Sequence, residues 1–277
     1  MKKGFQEQFG YSVEEEVISS QCHLAIQIGS DYCGFSICHI ERNQLLQLKR
    51  YTFNAIEPSL LNAIVESNPI LDSPFEKITI QPDFTFSTLL PAELNIGDTT
   101  PLVFLESTDQ QDHLITEYVR NKEMANLYSV PFFVLNWLVQ NFPSAGYIHG
   151  HSVMIDHAAA DLPNGLLRLD IAERHFSIVA FQNHQVLLAS NYTFNTPIDI
   201  VFYLLKICEA YHLSQEEVIV EVSGLFSTDA KIYRAIYDYF LNIQLKPTHW
   251  DDGITGCPAH YFTLLNEITS CESFQEI

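Results

Sequence analysis

Phe35-Ser36-Ile37 returns as Phe176-Ser177-Ile178, and Tyr51-Thr52-Phe53 returns as Tyr192-Thr193-Phe194, in both cases 141 residues further along a chain of 277. In the same frame Gln44 falls on Gln185 and Leu46 on Leu187, so 8 of 19 aligned positions are identical, where chance supplies about one. A second block, Ile78-Thr79-Ile80 with Phe86-Ser87-Thr88, lines up with Val218-Ile219-Val220 and Phe226-Ser227-Thr228 at an offset of 140. Two blocks in one order predict a duplicated unit.

Each copy has the same grammar. Leu24 to Ile28, Phe35 to Ile40 and Leu45 to Phe53 are apolar and β-branched runs separated by turn residues, which predicts a three-stranded meander. Leu166 to Ile171, Phe176 to Phe181 and Val186 to Phe194 repeat it, with the turn before Phe176 read as about two residues shorter than its counterpart. A helix follows in the second copy: Thr196 caps, Pro197 sits where a missing N–H costs nothing, and Asp199 is three past the cap. Its expected inner face is Ile198, Val201, Phe202, Leu205 and Cys208. A strand at Val218 to Val222 and a helix from Asp229, with Ile232, Ile236, Tyr239, Phe240 and Ile243 on one side, complete the order βββαβα. The expected fold class is α/β, two ribonuclease-H-like units in tandem. Residues 1–20 are read as an N-terminal tail carrying Glu14, Glu15 and Glu16, 21–160 as the first unit, and 161–277 as the second, whose last helix packs back on the first.

With 14 Lys and Arg against 34 Asp and Glu, the net charge is -20, a field that repels phosphate backbones and anionic lipid, so neither nucleic acid nor membrane insertion is expected. The start lacks the apolar run of a secretory signal, and the longest apolar stretch, Val130 to Val139, is too short to span a bilayer. It reads as a buried helix. The expected location is cytoplasmic, with the six cysteines as buried, reduced thiols.

Two such units, each opening on a strand, tight turn and strand, resemble the actin-like ATPase superfamily of actin, sugar kinases and Hsp70 chaperones. The chain looks like an uncharacterised bacterial family of that fold. Its nearest characterised look-alikes are bacterial pilus-assembly and cell-division proteins. The resemblance implies ATP between the halves, held by three loops. In the first phosphate loop, Ile26-Gln27-Ile28-Gly29-Ser30, Gln27 stands where the aspartate is usual, while Gly29 and Ser30 remain to meet phosphate. The second, Leu169-Asp170-Ile171-Ala172, keeps Asp170 but has Ala172 in place of glycine. The adenosine loop, Val222-Ser223-Gly224-Leu225, keeps Ser223 and one glycine, Gly224, and has Leu225 in place of the other. These departures imply a catalytically inactive scaffold or adaptor, a pseudo-ATPase that needs no cofactor and works through a protein partner. The alternative is an ATPase or small-molecule kinase using magnesium-ATP in the interdomain cleft, with Asp170 as base or metal ligand and Ser30 on phosphate. A module holding another small ligand in the cleft is a third reading.

Elsewhere, His149, His151 and His157 with Asp156 read as solvated histidines rather than a metal site. Cys257 with His249 and His260 is a weak candidate pair, and Asp251-Asp252-Gly253 reads as a turn.

Overall fold

A computed structural model describes residues 4–84, 86–94, 112–119, 123–158, 162–227, 230–250 and 257–270. The first sheet contains β1 (Phe5–Ser12), β2 (Cys22–Gly29), β3 (Tyr32–His39), β4 (Gln44–Phe53), β5 (Lys77–Asp83) and β9 (Gly146–Tyr147), in the order β1-β4-β3-β2-β5-β9. The second contains β10 (Leu166–Ile171), β11 (His175–Gln182), β12 (Gln185–Thr193), β13 (Ile219–Gly224) and β14 (Asn242–Leu245), in the order β12-β11-β10-β13-β14. With β1 set aside, the two orders are the same. Between β5 and β9 the first half carries an additional antiparallel sheet, β6 (Ser87–Pro91), β7 (Asp112–Val119) and β8 (Met124–Pro131), that the sequence pattern did not announce.

Helices α1 (Pro58–Glu66) and α2 (Phe132–Asn141) cover the first sheet, and α4 (Pro197–Tyr211) and α5 (Lys231–Tyr237) the second. The start of α4 follows the sequence: Asp199 accepts the backbone N–H of Thr196 at 2.8 Å. Its inner face does not. Ile200, Val201, Leu204, Ile207 and Cys208 are buried while Ile198 and Phe202 lie exposed. The helix is apolar on two stripes, and periodicity alone does not choose which one meets the sheet. Likewise α5 ends at Tyr237, and Ile243 belongs to strand β14. Helix α2 buries Val134, Leu135, Trp137 and Leu138 but exposes Phe132, Phe133 and Val139, so it covers a core on one side only.

Two further expectations are corrected. Residues 5–12 are not a tail: they form β1, paired antiparallel to β4 from Phe5↔Phe53 to Ser12↔Gln47. The second hairpin turn is not shorter than the first. Ile28 pairs with Cys33 and Ile171 with Phe176, and Ala172 donates to the His175 carbonyl at 2.9 Å, so Ser30-Asp31 and Glu173-Arg174 are corresponding turns. Cys257 is half-buried, Cys22, Cys33, Cys38 and Cys208 are buried free thiols, and Cys271, Asp229 and the turn at residues 251–253 lie outside the described residues. No helix among the described residues is long and apolar enough to cross a membrane.

Two short helices, α3 (Gly150–Asp156) and α6 (Thr263–Ile268), sit between the two large sheets. A core shared by both halves surrounds them, joining Ala25, Cys38 and Leu48 to Val179, Phe181 and Leu265. Inside lies Arg168 of β10, 2 % exposed. It donates to the Met154 carbonyl of α3 at 2.8 Å, pairs with Glu267 of α6, and reaches Glu221 of β13 at 3.2 Å. Replacing one member of such a buried pair strands the other charge. Glu267→Gln is therefore expected to destabilise the fold by about 3–5 kcal/mol in urea unfolding, with the double variant Arg168→Met, Glu267→Leu recovering most of the loss.

Candidate functional site

In open α/β sheets, ligands gather beyond the carboxyl ends of the strands. Here that end is where β2, β5, β10 and β13 of the two halves face one another. Asp83, the last residue of β5, is the meeting point. The Tyr32 hydroxyl donates to Asp83 Oδ2, and His175 Nε2 lies 3.1 Å from the same oxygen. Tyr32 and His175 each open the strand after a hairpin turn, one per half, so equivalent positions converge on one carboxylate across the cleft.

A second tie runs beside the first. The Arg50 guanidinium stacks 3.7 Å over the Tyr32 ring and donates through Nε to Gln8 at 2.9 Å, and Gln8 donates to Glu173 of the opposite turn at 2.7 Å. The strand expected as a tail thus supplies part of the closure. What remains between the halves is a cavity of about 20 Å³, room for about one water.

Of the residues named from sequence, Gln27, Asp170, Ala172 and Gly224 line this cavity. Gln27 is buried, its backbone held between β3 and β5, and its side-chain amide makes no hydrogen bond among the described residues. Asp170 accepts from Ser223 Oγ at 2.7 Å, with Ser223 also 3.1 Å from the Leu169 carbonyl. Gly29 and Ser30 stand outside the cavity, with Ser30 exposed and the Tyr32 ring packed on Gly29. Gly224 has a structural reason to be glycine: its φ is +106°, and a Cβ there would collide with the backbone of Ile171. Ala172 needs no glycine, because neither it nor Glu173 nor Arg174 adopts positive φ.

The backbone donors of the adenosine loop are already used. Gly224 N–H donates to the His260 carbonyl at 2.8 Å and Leu225 N–H to the Ile171 carbonyl at 2.7 Å, while His260 Nε2 lies 2.8 Å from the Phe226 carbonyl. Leu225 and Tyr261 close that side of the cavity. In this closed arrangement the residues present do not fit magnesium-ATP: the carboxylate position is a neutral amide, the loop donors are consumed, and the volume is that of a water. Among the described residues no group of three His, Cys, Asp or Glu is placed to hold a metal ion.

The other candidates also move. His149 and His151 are buried, not solvated, and burial pushes both down, His151 to about 4. Sequence reasoning missed Asp83, His175, Tyr32, Arg50 and Gln8. The one local signal was an acidic residue ending a strand; their convergence is a property of the tertiary fold.

The chain has the actin-like ATPase fold. A protein of Bacteroides thetaiotaomicron described as having that fold and unknown function superposes with a TM-score of 0.78, over 92 % of this chain and 97 % of that one, at 16 % identity. The PilM-PilN type IV pilus biogenesis complex gives 0.56 over 90 % and 97 % at 11 % identity. The cytoplasmic domain of EpsL, an inner membrane component of the type II secretion system of Vibrio cholerae, gives 0.48 over 90 % and 94 % at 9 % identity. No curated protein matches the sequence. The chain belongs to the family described as "Protein of unknown function (DUF3822)", which matches residues 14–243.

The cleft's ionisation is asymmetric. Burial favours a neutral Asp83, but the charge and hydrogen bond of His175 and the Tyr32 hydroxyl outweigh it and hold the carboxyl well below its usual range. Burial works against a charged His175, yet Asp83 raises it overall. Burial lifts Asp170 to about 6, against the Ser223 hydrogen bond and the charge of Arg168 and with the help of the Asp83 charge. Three signs follow. The His175 contribution is complete below about pH 6.5 and fades as pH climbs through the raised folded value. The Asp83 contribution is present above about pH 4 and is lost as pH falls through its depressed value. Asp170 costs stability progressively above about pH 4, and fully above its folded value. Asp170→Asn is thus expected to be neutral at pH 4 and stabilising by roughly 2–4 kcal/mol at pH 8, while His175→Phe loses more stability at pH 5.5 than at pH 8.5; urea titrations at these pH values check both.

Proposed function

We propose that the chain is a cytoplasmic adaptor of actin-like fold that does not turn over ATP and acts by holding a protein partner. The observation that carries this reading is the closed cleft, tied by His175–Asp83 at 3.1 Å and Gln8–Glu173 at 2.7 Å around a water-sized void. An ATPase of this architecture needs its halves apart far enough to admit a nucleotide and a carboxylate to offset the metal. The shared strand order of the two large sheets supports descent from one duplicated unit, residues 21–160 and 161–277, kept for its shape. PilM, a structural neighbour, stands in a complex with another protein, PilN, and a fold that serves there as one member of an assembly supports the partner reading here. The charge of -20 favours a basic protein surface over nucleic acid.

Asp170 favours a second reading. A buried carboxyl that titrates at about 6 at the end of a strand facing the cleft has the charge behaviour of a general base, once both ties are broken. Titration calorimetry and a phosphate-release assay with magnesium-ATP separate the two. The adaptor reading expects no heat at millimolar nucleotide and no release above the buffer rate. Turnover that Asp170→Ala abolishes would overturn it in favour of an ATPase or kinase.

A further inference from the structure

At the opposite end of β2 from the cleft, residues 13–21 strap across the foot of the first sheet. Val13 N–H donates to the Leu46 carbonyl at 2.9 Å, Ile40 N–H to the Gln21 carbonyl at 3.0 Å, and Glu76 N–H to the Ser19 carbonyl at 3.3 Å. Between this strap and the β3–β4 turn lies a pocket of about 260 Å³. It is over ten times the volume of the cleft cavity, and close to the lower limit for small-ligand sites.

Its lining combines three chemistries. Ile18 and Leu46 give an apolar wall, and Glu15 and Glu16 give carboxylates at the rim. The third is His39, 8 % exposed, whose Nδ1 accepts the backbone N–H of Arg42 at 3.3 Å. That bond leaves Nε2 carrying the proton of the neutral ring. Nε2 has no partner among the described residues. The imidazole is thus held by its Nδ1 bond at the pocket wall, with its Nε2–H free to donate to a group that enters the pocket. At the rim the chain's own Arg42 guanidinium lies 3.6 Å from Glu15, both side chains largely exposed, an exchangeable pair worth little by itself.

We propose that this pocket is the partner-binding site, and that it takes a peptide segment bearing a basic side chain. A backbone carbonyl accepts from His39 Nε2–H. The aliphatic stem lies on Ile18 and Leu46, and the ammonium or guanidinium meets Glu16, as Arg42 already meets Glu15. The assignment rests on the adaptor reading in that it gives the partner its chemistry, but the two sites are separated by the length of β2, about 23 Å for seven steps of about 3.3 Å. The strap that the sequence presents as an acidic tail is thereby a built wall of a recognition site.

The test uses the full chain with ¹⁵N-labelled histidine and the probe N-acetyl-lysine N′-methylamide, read by NMR at the His39 imidazole. The expected result is a saturable shift at His39, weakened at least tenfold by Glu16→Gln. That variant changes an exposed side chain and is checked for folding by the other histidine signals. The uncharged norleucine analogue and butylammonium, which lacks the carbonyl, are each expected to bind at least tenfold more weakly. No His39 shift at tens of millimolar probe, or an equal response to norleucine, overturns the proposal. An equal response to butylammonium also overturns it, pointing to a free amine instead of a peptide. Magnesium-ATP added to the same sample is read at the His175 imidazole in the cleft, so a saturable nucleotide effect there sinks the adaptor reading and leaves the His39 result to stand by itself.

Discussion

The guanidinium of Arg168 is the constraint on which the arrangement of the two halves depends. A cation buried to this degree is tolerated only where its donors are met and its charge is balanced. The groups that meet it come from three elements: the Met154 carbonyl on α3, Glu221 on β13 and Glu267 on α6, with Lys246 3.4 Å from Glu221 and 3.8 Å from Glu267 as a further cation. Helices of seven and six residues do not persist alone in water. α3 and α6 exist because the shared core and this ion cluster hold them, and the same groups fix how the first sheet sits on the second. Their approach is close enough that a Cβ on Gly150 would press on Gln81 and Leu264.

With the sheets so placed, the ends of β2, β5, β10 and β13 meet, and the charges there decide what the cleft tolerates. Asp31, Asp83, Asp170 and Glu173 stand against Arg50 and a His175 whose charge is sustained by Asp83. Arg50 is committed to the Tyr32 ring and Gln8. A triphosphate would therefore meet carboxylates with no uncommitted cation among the cavity's lining residues, at distances where like charges repel by several kcal/mol in a low-dielectric cleft. The closure and the charge balance act in the same direction.

The sequence made the meanders, the two-unit order and the α4 cap legible because each depends on local periodicity or capping chemistry. It misplaced the frame of the repeat in an instructive way. β4 and β12 do match at 141 residues, since Tyr51 pairs with Cys33 as Tyr192 pairs with Phe176. But that pairing puts Phe176 in the place of Cys33, not of Phe35, and by the same register Val222 in the place of Ile80. Both slips are of two residues. A strand's side chains alternate with period two, so a two-residue slip keeps every face and leaves the hydrophobic pattern intact. The extra length sits in the β3–β4 turn, residues 40–43, against Asn183-His184. Short strands β9 and β14 carry too few residues for any period, and β1 has no fully buried position to mark it. The cleft ties were illegible for a different reason: Gln8 with Glu173, and Asp83 with His175, are contacts between distant segments.

The inserted sheet completes this logic. Glu117 of β7 accepts the backbone N–H of His149 at 3.0 Å, Ser87 of β6 lies 3.0 Å from His151 Nδ1, and Asn126 of β8 donates to Ser152 at 3.1 Å. All three reach the first residues of α3 or the residue before them, the element that Arg168 holds from its other end through Met154. Burial keeps these groups uncharged near neutrality, lifting Glu117 to about 8 and depressing both histidines. They therefore act as neutral hydrogen-bonding partners, sensitive to geometry. An opening of the cleft by rotation about α3 and α6 would strain contacts at both ends of α3 together with the two ties at the cleft mouth. The junction between the two halves is in this chain braced from three sides: by Arg168, by the inserted sheet and by the two ties at the cleft mouth.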